Sequence, residues 1–166
     1  MIKSIVDIDI NSAIKDFKGS YLERRSELLN NYLKECKEQL RDVYFIYSNN
    51  ECAGYATLYK KSDHRTFLKN NIPEIKDINI ISKHQRKGLA TKLMNHIEKQ
   101  AKNSGYDIIG IGVGMHKDYG NAQRLYVKLG YLPTGEGLFS ENKEIDYNDT
   151  FVMNDDLVLY LTKKLK

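Results

Sequence analysis

The sequence predicts a mixed α/β domain, a central mixed sheet of about six to seven strands flanked by about four helices. Three observations carry this reading. A β-hairpin pattern lies early in the chain, a strand–turn–helix–strand unit occupies the middle, and two further strand-like runs close the C-terminal part. Consecutive hairpin strands beside a crossover unit exclude a purely parallel doubly wound sheet.

Taken in order, Ile2–Ile10 alternates in part and reads as a first strand, and Asn11 reads as the cap of a short helix ending near Gly19. From Tyr21 to Leu40 the apolar positions Leu22, Leu29, Tyr32, Leu33, Cys36 and Leu40 recur at helical spacing, which predicts one long amphipathic helix. Val43–Tyr47 and Ala53–Tyr59 are β-branched and aromatic runs separated by Ser48-Asn49-Asn50-Glu51, a hairpin signal. Glu74–Ile81 reads as a strand. It leads through the basic turn Lys83-His84-Gln85-Arg86-Lys87-Gly88 into a helix whose face is Leu89, Ala90, Leu93, Met94, Ile97 and Ala101. Ile108–Val113 is the next strand, with Gly110, Gly112 and Gly114 marking a bulge or a close backbone approach. Ala122, Leu125, Tyr126 and Leu129 define another helix that Gly130 ends. Tyr131–Phe139 and Leu157–Leu161 read as closing strands.

Composition narrows the class of protein. The 166 residues are 41% hydrophobic and 29% charged with a net charge of +4, which excludes disorder driven by charge and fits one domain over residues 1–166. Apolar and glycine residues run together for at most the 8 residues Ile108–Met115, against the roughly 18 that a membrane span needs. Asp7 and Asp9 interrupt any secretory core near the N-terminus, so a cytoplasmic protein is expected. Cys36 and Cys52 read as packing, and His64, His84, His96 and His116 lack ligand spacing, so no metal is expected. Residues 51–110 hold 11 basic against 6 acidic side chains, more than the whole net charge, which points to an anionic partner there. No nucleic-acid motif accompanies that excess.

The chemistry centres on strand 74–81, its basic turn and the helix that follows. A strand feeding a glycine turn into a helix N-terminus presents free N–H groups and the positive end of a helix dipole, an anion site. Neither GxxxxGK[ST] nor GxGxxG fits the turn. It does fit Q/R-x-x-G-x-G/A as Gln85-Arg86-Lys87-Gly88-Leu89-Ala90, followed further on by Asn121-Ala122-Gln123-Arg124-Leu125-Tyr126-Val127-Lys128-Leu129-Gly130-Tyr131. In this setting the chain resembles the Gcn5-related N-acetyltransferase superfamily over nearly its whole length.

The resemblance implies a fold in which acetyl-coenzyme A wedges between two splayed parallel strands, here 74–81 and 108–113, with no metal. It places the pyrophosphate on the backbone of Gln85, Arg86, Lys87, Gly88, Leu89, Ala90 and Thr91. The pantetheine arm would lie along Asn79, Ile80 and Ile81. Tyr126 corresponds to the general acid toward the departing thiolate and also sits on its helix's apolar stripe, while Asn121 either caps that helix or holds the cofactor. Glu74 matches the family's glutamate base. By strand alternation Asp77 is expected on the opposite face, and His116 is a secondary acid/base candidate. A lysine-like amine of pKa ~10.4 must lose a proton before it attacks, at a cost of roughly 4.6 kcal/mol at pH 7, so a nearby carboxylate is chemically useful.

The expected reaction is therefore acetyl transfer to a primary amine of a small molecule or peptide. A non-catalytic acyl-coenzyme A-binding module with the same fold is the alternative. From Glu136 to Asp156 seven carboxylates stand against Lys143 alone, a net −6, which favours a cationic acceptor. Neither nucleic acid nor a membrane is expected as a partner, and a homodimer is compatible.

Overall fold

A computed structural model describes residues 1–165. One sheet of 8 strands runs through the molecule in the order β1-β2-β3-β4-β5-β8-β6-β7. Its strands are β1 (Ile2–Ser4), β2 (Arg41–Ser48), β3 (Glu51–Tyr59), β4 (Glu74–Ile80), β5 (Ile108–Gly114), β6 (Leu132–Ser140), β7 (Lys143–Glu144) and β8 (Leu157–Lys164). The helices are α1 (Ile10–Asp16), α2 (Ser26–Lys37), α3 (Arg65–Lys69), α4 (Leu89–Asn103) and α5 (Gly120–Lys128).

The hairpin β2–β3 forms because Asn49 and Asn50 both adopt left-handed φ, 53° and 63°. That is the two-residue turn whose twist suits antiparallel strands. Ile109, Ile111 and Val113 of β5 pack with Leu93, Met94 and Ile97 of α4 and with Tyr126 of α5. Phe17 of the turn after α1, Leu22 and Leu29 pack against Phe45 and Tyr55 on the other face.

Five elements differ from the sequence reading. The first strand stops at Ser4, because Ile5 turns inward in a short 3-10 segment (Ile5–Asp7) and is buried. Asp9, not Asn11, caps α1, its carboxylate accepting from Asn11 N at 3.0 Å. The long helix expected over 21–40 forms only from Ser26, since residues before it make tight turns. The five-residue α3 and the two-residue β7 carry no periodic signal; α3 persists because Phe67 packs against Gly110. These account for eight strands and five helices where fewer were expected.

The glycines of β5 are close approaches. An added Cβ at Gly110 meets the Phe67 ring, at Gly112 it comes within 2.9 Å of Val158, and at Gly114 within 2.6 Å of the Tyr119 ring. Bare backbone on that face of β5 lets the rings of Phe67, Tyr160 and Tyr119 lie directly on the strand.

Candidate active site

The site begins where the two parallel strands part. β4 and β5 pair only at Glu74↔Gly110 and Ile75↔Ile111, supported by Gly110 N–H to Pro73 O at 2.9 Å. Beyond those pairs β4 follows β3 while β5 follows β8, so the sheet opens between them. A bulge assists the parting: Tyr55 faces Asn79 and Thr57 faces Lys76, leaving Asp77 and Ile78 opposite Ala56 alone. Gly54↔Ile80 is a pair without mutual hydrogen bonds, because Ile81 N–H reaches Ala53 O at 3.0 Å. Ile80 therefore turns its backbone toward the opening, and its carbonyl accepts from Gln85 Nε2 at 2.8 Å. Asn79 faces β3 and Ile81 is fully bonded, its carbonyl accepting from His84 N–H at 2.9 Å. Of the three residues expected along a pantetheine arm, Ile80 alone offers a free amide.

At the mouth of the opening lies the turn 85–88. Arg86 (φ 59°) and Gly88 (φ 74°) are both left-handed, and Gly88 is the residue from which α4 starts, with no side chain capping it. Among the described residues, none accepts a hydrogen bond from the N–H of Arg86, Lys87, Gly88, Leu89, Ala90 or Thr91. Successive free amides in such a turn, added to the helix dipole, form a nest for an anion. Gln85, Arg86, Lys87 and Gly88 are exposed. Lys83 is committed elsewhere: its ammonium pairs with Glu51, which also meets His84 Nε2 at 3.0 Å. Lys87 donates to Lys83 O at 2.9 Å, so Arg86 is the uncommitted cation of the turn.

Tyr126 projects from α5. The residue is 8% exposed within the core, and its hydroxyl bonds to none of the described residues. Burial, with a smaller contribution from nearby Tyr119, pushes its pKa above the ordinary phenol value. The hydroxyl is thus a proton donor throughout the physiological range. Gln123 ties α5 to the end of β5 through Gly114 O at 2.9 Å. Asn121 is the second residue of α5, exposed, and does not cap the helix, which starts after Tyr119.

Glu74 opens β4 and is 3% exposed. Burial raises its pKa; Lys76, 3.6 Å away, and the Ser62 hydroxyl, donating at 2.6 Å, offset that only in part. Asp77 is not on the opposite face, as alternation would have it. The bulge restores it to the side of Glu74 and α2, with φ 56°. There it accepts from Arg25 at 2.9 Å, Tyr32 at 2.9 Å, Tyr55 at 3.1 Å and Asn79 at 3.1 Å. Burial opposes its ionisation, yet the Asn79, Arg25 and Tyr32 donors outweigh it and hold the carboxyl below its usual range. His116 pairs with Asp118 at 3.1 Å on the surface, outside this cluster. Ser62 holds Glu74, the His64 backbone N–H holds Ser62, and the His64 ring meets Glu136, a chain of contacts that sequence reasoning missed because loop, helix and bulge assemble it across more than 70 positions. Its one local signal is Gly135-Glu136-Gly137, where both glycines are left-handed, φ 87° and 79°. Among the described residues no group of three or more His, Cys, Asp or Glu is placed to hold a metal ion, and no helix is long and apolar enough to cross a membrane.

A sheet opened between its two parallel strands, with an amide-lined turn at the mouth, defines an α/β fold of the acyl-coenzyme A N-acyltransferase type. The chain belongs to the acetyltransferase (GNAT) family, whose model matches residues 10–131. An N-acetyltransferase from Staphylococcus aureus Mu50 superimposes with a TM-score of 0.68 at 16% identity, covering 100% of this chain and 98% of its own. A GNAT family acetyltransferase from Elizabethkingia anophelis with acetyl-CoA bound gives 0.63 at 23% identity, over 99% and 97%. A ribosomal-protein-alanine N-acetyltransferase from Brucella melitensis gives 0.64 at 15%, over 99% of both chains. No curated protein matches the chain significantly.

Proposed function

We propose that this acetyltransferase moves the acetyl group of acetyl-CoA to a primary amine of a cationic small molecule or peptide by direct attack. The observation that carries the reading is the run of unpartnered amides from Arg86 to Thr91 beside the opening between β4 and β5. The nest and Arg86 would hold the pyrophosphate, and the free amide of Ile80 would guide the pantetheine arm. Bound acetyl-CoA supplies an activated thioester. Tyr126 holds a proton at its hydroxyl for the departing thiolate, whose pKa of ~8.5 lies below that of a phenol. Glu74, kept partly desolvated, accepts the proton of the incoming ammonium directly or through water. Glu141, Glu144, Asp146 and Asp149 are exposed on the segment after β6 and draw a cation toward that side.

The test is release of free thiol from acetyl-CoA over aminoglycosides, polyamines, amino acids and lysine-containing peptides. Turnover confined to cationic amines supports the proposal. Tight acetyl-CoA binding without turnover of any amine would reduce the protein to an acyl-coenzyme A-binding module.

A further inference from the structure

Four buried side-chain polar atoms among the described residues have no hydrogen-bond partner, and three of them share one place: both ring nitrogens of His64 and Oε2 of Glu136. Each such orphan costs about 1–3 kcal/mol, so their coincidence calls for a physical cause. His64 is 1% exposed. Its ring stacks on Tyr160 at 3.9 Å and meets the edges of Phe67 at 4.5 Å and Phe139 at 4.8 Å. Its Nε2 lies 3.7 Å from the orphan Oε2 of Glu136.

Glu136 is put there on purpose of the backbone. Leu132 and Pro133 pair with Thr162 and Leu161, and Leu138 next pairs with Leu159, so residues 134–137 bulge out opposite Tyr160. The left-handed Gly135 and Gly137 turn Glu136 inward, where its other oxygen takes the Thr66 hydroxyl. The enclosure leaves no space for a ligand between imidazole and carboxylate. A proton on Nε2 points a donor at Oε2 across 3.7 Å, and in the imidazolium form that donor is charged.

The same histidine borders Glu74. Its backbone N–H donates to Ser62 Oγ at 3.0 Å, and Ser62 donates onward to Glu74 at 2.6 Å. We propose that His64 and Glu136 form a buried proton-holding pair that acts through Glu74, so that imidazole and base titrate as one coupled unit. His64 is then a positioning residue, and the idea rests on Glu74 serving as the acceptor-side base. Glu136 from β6 and Tyr160 from β8 face the His64 ring; Thr66 from α3 bonds Glu136, and Lys76 from β4, paired with Asp63, lies beside Glu74. Burial favours neutral imidazole and Glu136 favours imidazolium. Burial is the stronger of the two, so the ring's proton affinity lies below the ordinary imidazole value.

The experiment is an NMR titration of the His64 ring from about pH 4.5 to 8.5, assigned by loss of its signals in H64F, in wild type, E136Q and E74Q. E136Q is expected to lower the proton affinity of His64 at least about tenfold, because an opposite charge within ~4–6 Å is lost. E74Q should shift it measurably in the same direction, and it stands as a separate arm should E136Q fail to fold. In H64F the acidic limb of the kcat/KM profile should move, with the acetyl-CoA affinity unchanged. A His64 that stays neutral to the acid end, or one indifferent to both carboxylate substitutions, overturns the pairing. The titration needs neither acceptor nor cofactor, so its result is separate from that of the thiol-release screen.

Discussion

Replacing Gly88 with valine tests the turn on which the cofactor assignment rests. Gly88 has φ +74°, and a Cβ built there finds nothing within 4 Å. Steric crowding by the protein is therefore absent, and the backbone conformation alone opposes the substitution. A left-handed non-glycine residue costs about 1–2 kcal/mol, with a β-branched side chain at the upper end. At some 2–4 °C per kcal/mol for a chain of this size, Tm should fall by about 2–8 °C. The exposed position and the intact α4 core leave the protein folded. If the strain relaxes by a change of φ, the amides of Leu89, Ala90 and Thr91 lose their convergence. Loss of even one hydrogen bond to a charged group removes about 1.5–3 kcal/mol. Acetyl-CoA affinity should then fall at least tenfold, or about 1.4 kcal/mol. Calorimetric titration on the folded variant measures it. Asparagine tolerates the left-handed region, so G88N should stay within about threefold of wild type. A folded G88V that binds acetyl-CoA as tightly as wild type would refute the anion-nest assignment.

Tyr126→Phe should lower kcat by about 10²-fold and leave cofactor binding nearly unchanged; wild-type turnover would return Tyr126 to a packing role. Glu74 has a folded pKa above its unfolded value, so the folded protein binds the proton more readily and stability declines as pH rises from the unfolded through the folded pKa. E74Q, which still accepts from Ser62, should therefore have a higher Tm than wild type near pH 8 and lose that advantage toward pH ~4.5, while its kcat falls; thermal melts across pH check the sign. Joint neutralisation of Glu141, Glu144, Asp146 and Asp149 should raise KM for the amine and flatten its dependence on ionic strength, with calorimetric acetyl-CoA affinity unaltered. Glu136 and Asp155 are left intact in that variant because they bond Thr66 and Tyr119. An unchanged KM and salt dependence would make the segment a solvating surface only.

Local physics was enough for much of the fold. The hairpin turn, the strand–turn–helix unit and the apolar stripes of α4 and α5 are written in residue spacing, because each depends on neighbours within a turn or two of chain. The turn residues Arg86 and Gly88 likewise belong to a local pattern, and the position of the β5 glycines in a strand left a bulge or a close approach, between which packing decided for the close approach. Long-range packing decided the remainder. α3 is too short to nucleate alone and exists because Phe67 lies on Gly110. Asp77 changes face because a bulge inserts one residue into β4, and a strict period of two cannot register an insertion. The chain of contacts from Glu74 through Ser62 and His64 to Glu136 follows from the pairing of β6 with β8 and of β4 with β3, contacts between residues far apart in the chain. Sequence fixes which groups are present and how each segment bends; the charge state of a buried carboxylate depends on what surrounds it, and only the closed tertiary structure supplies those surroundings.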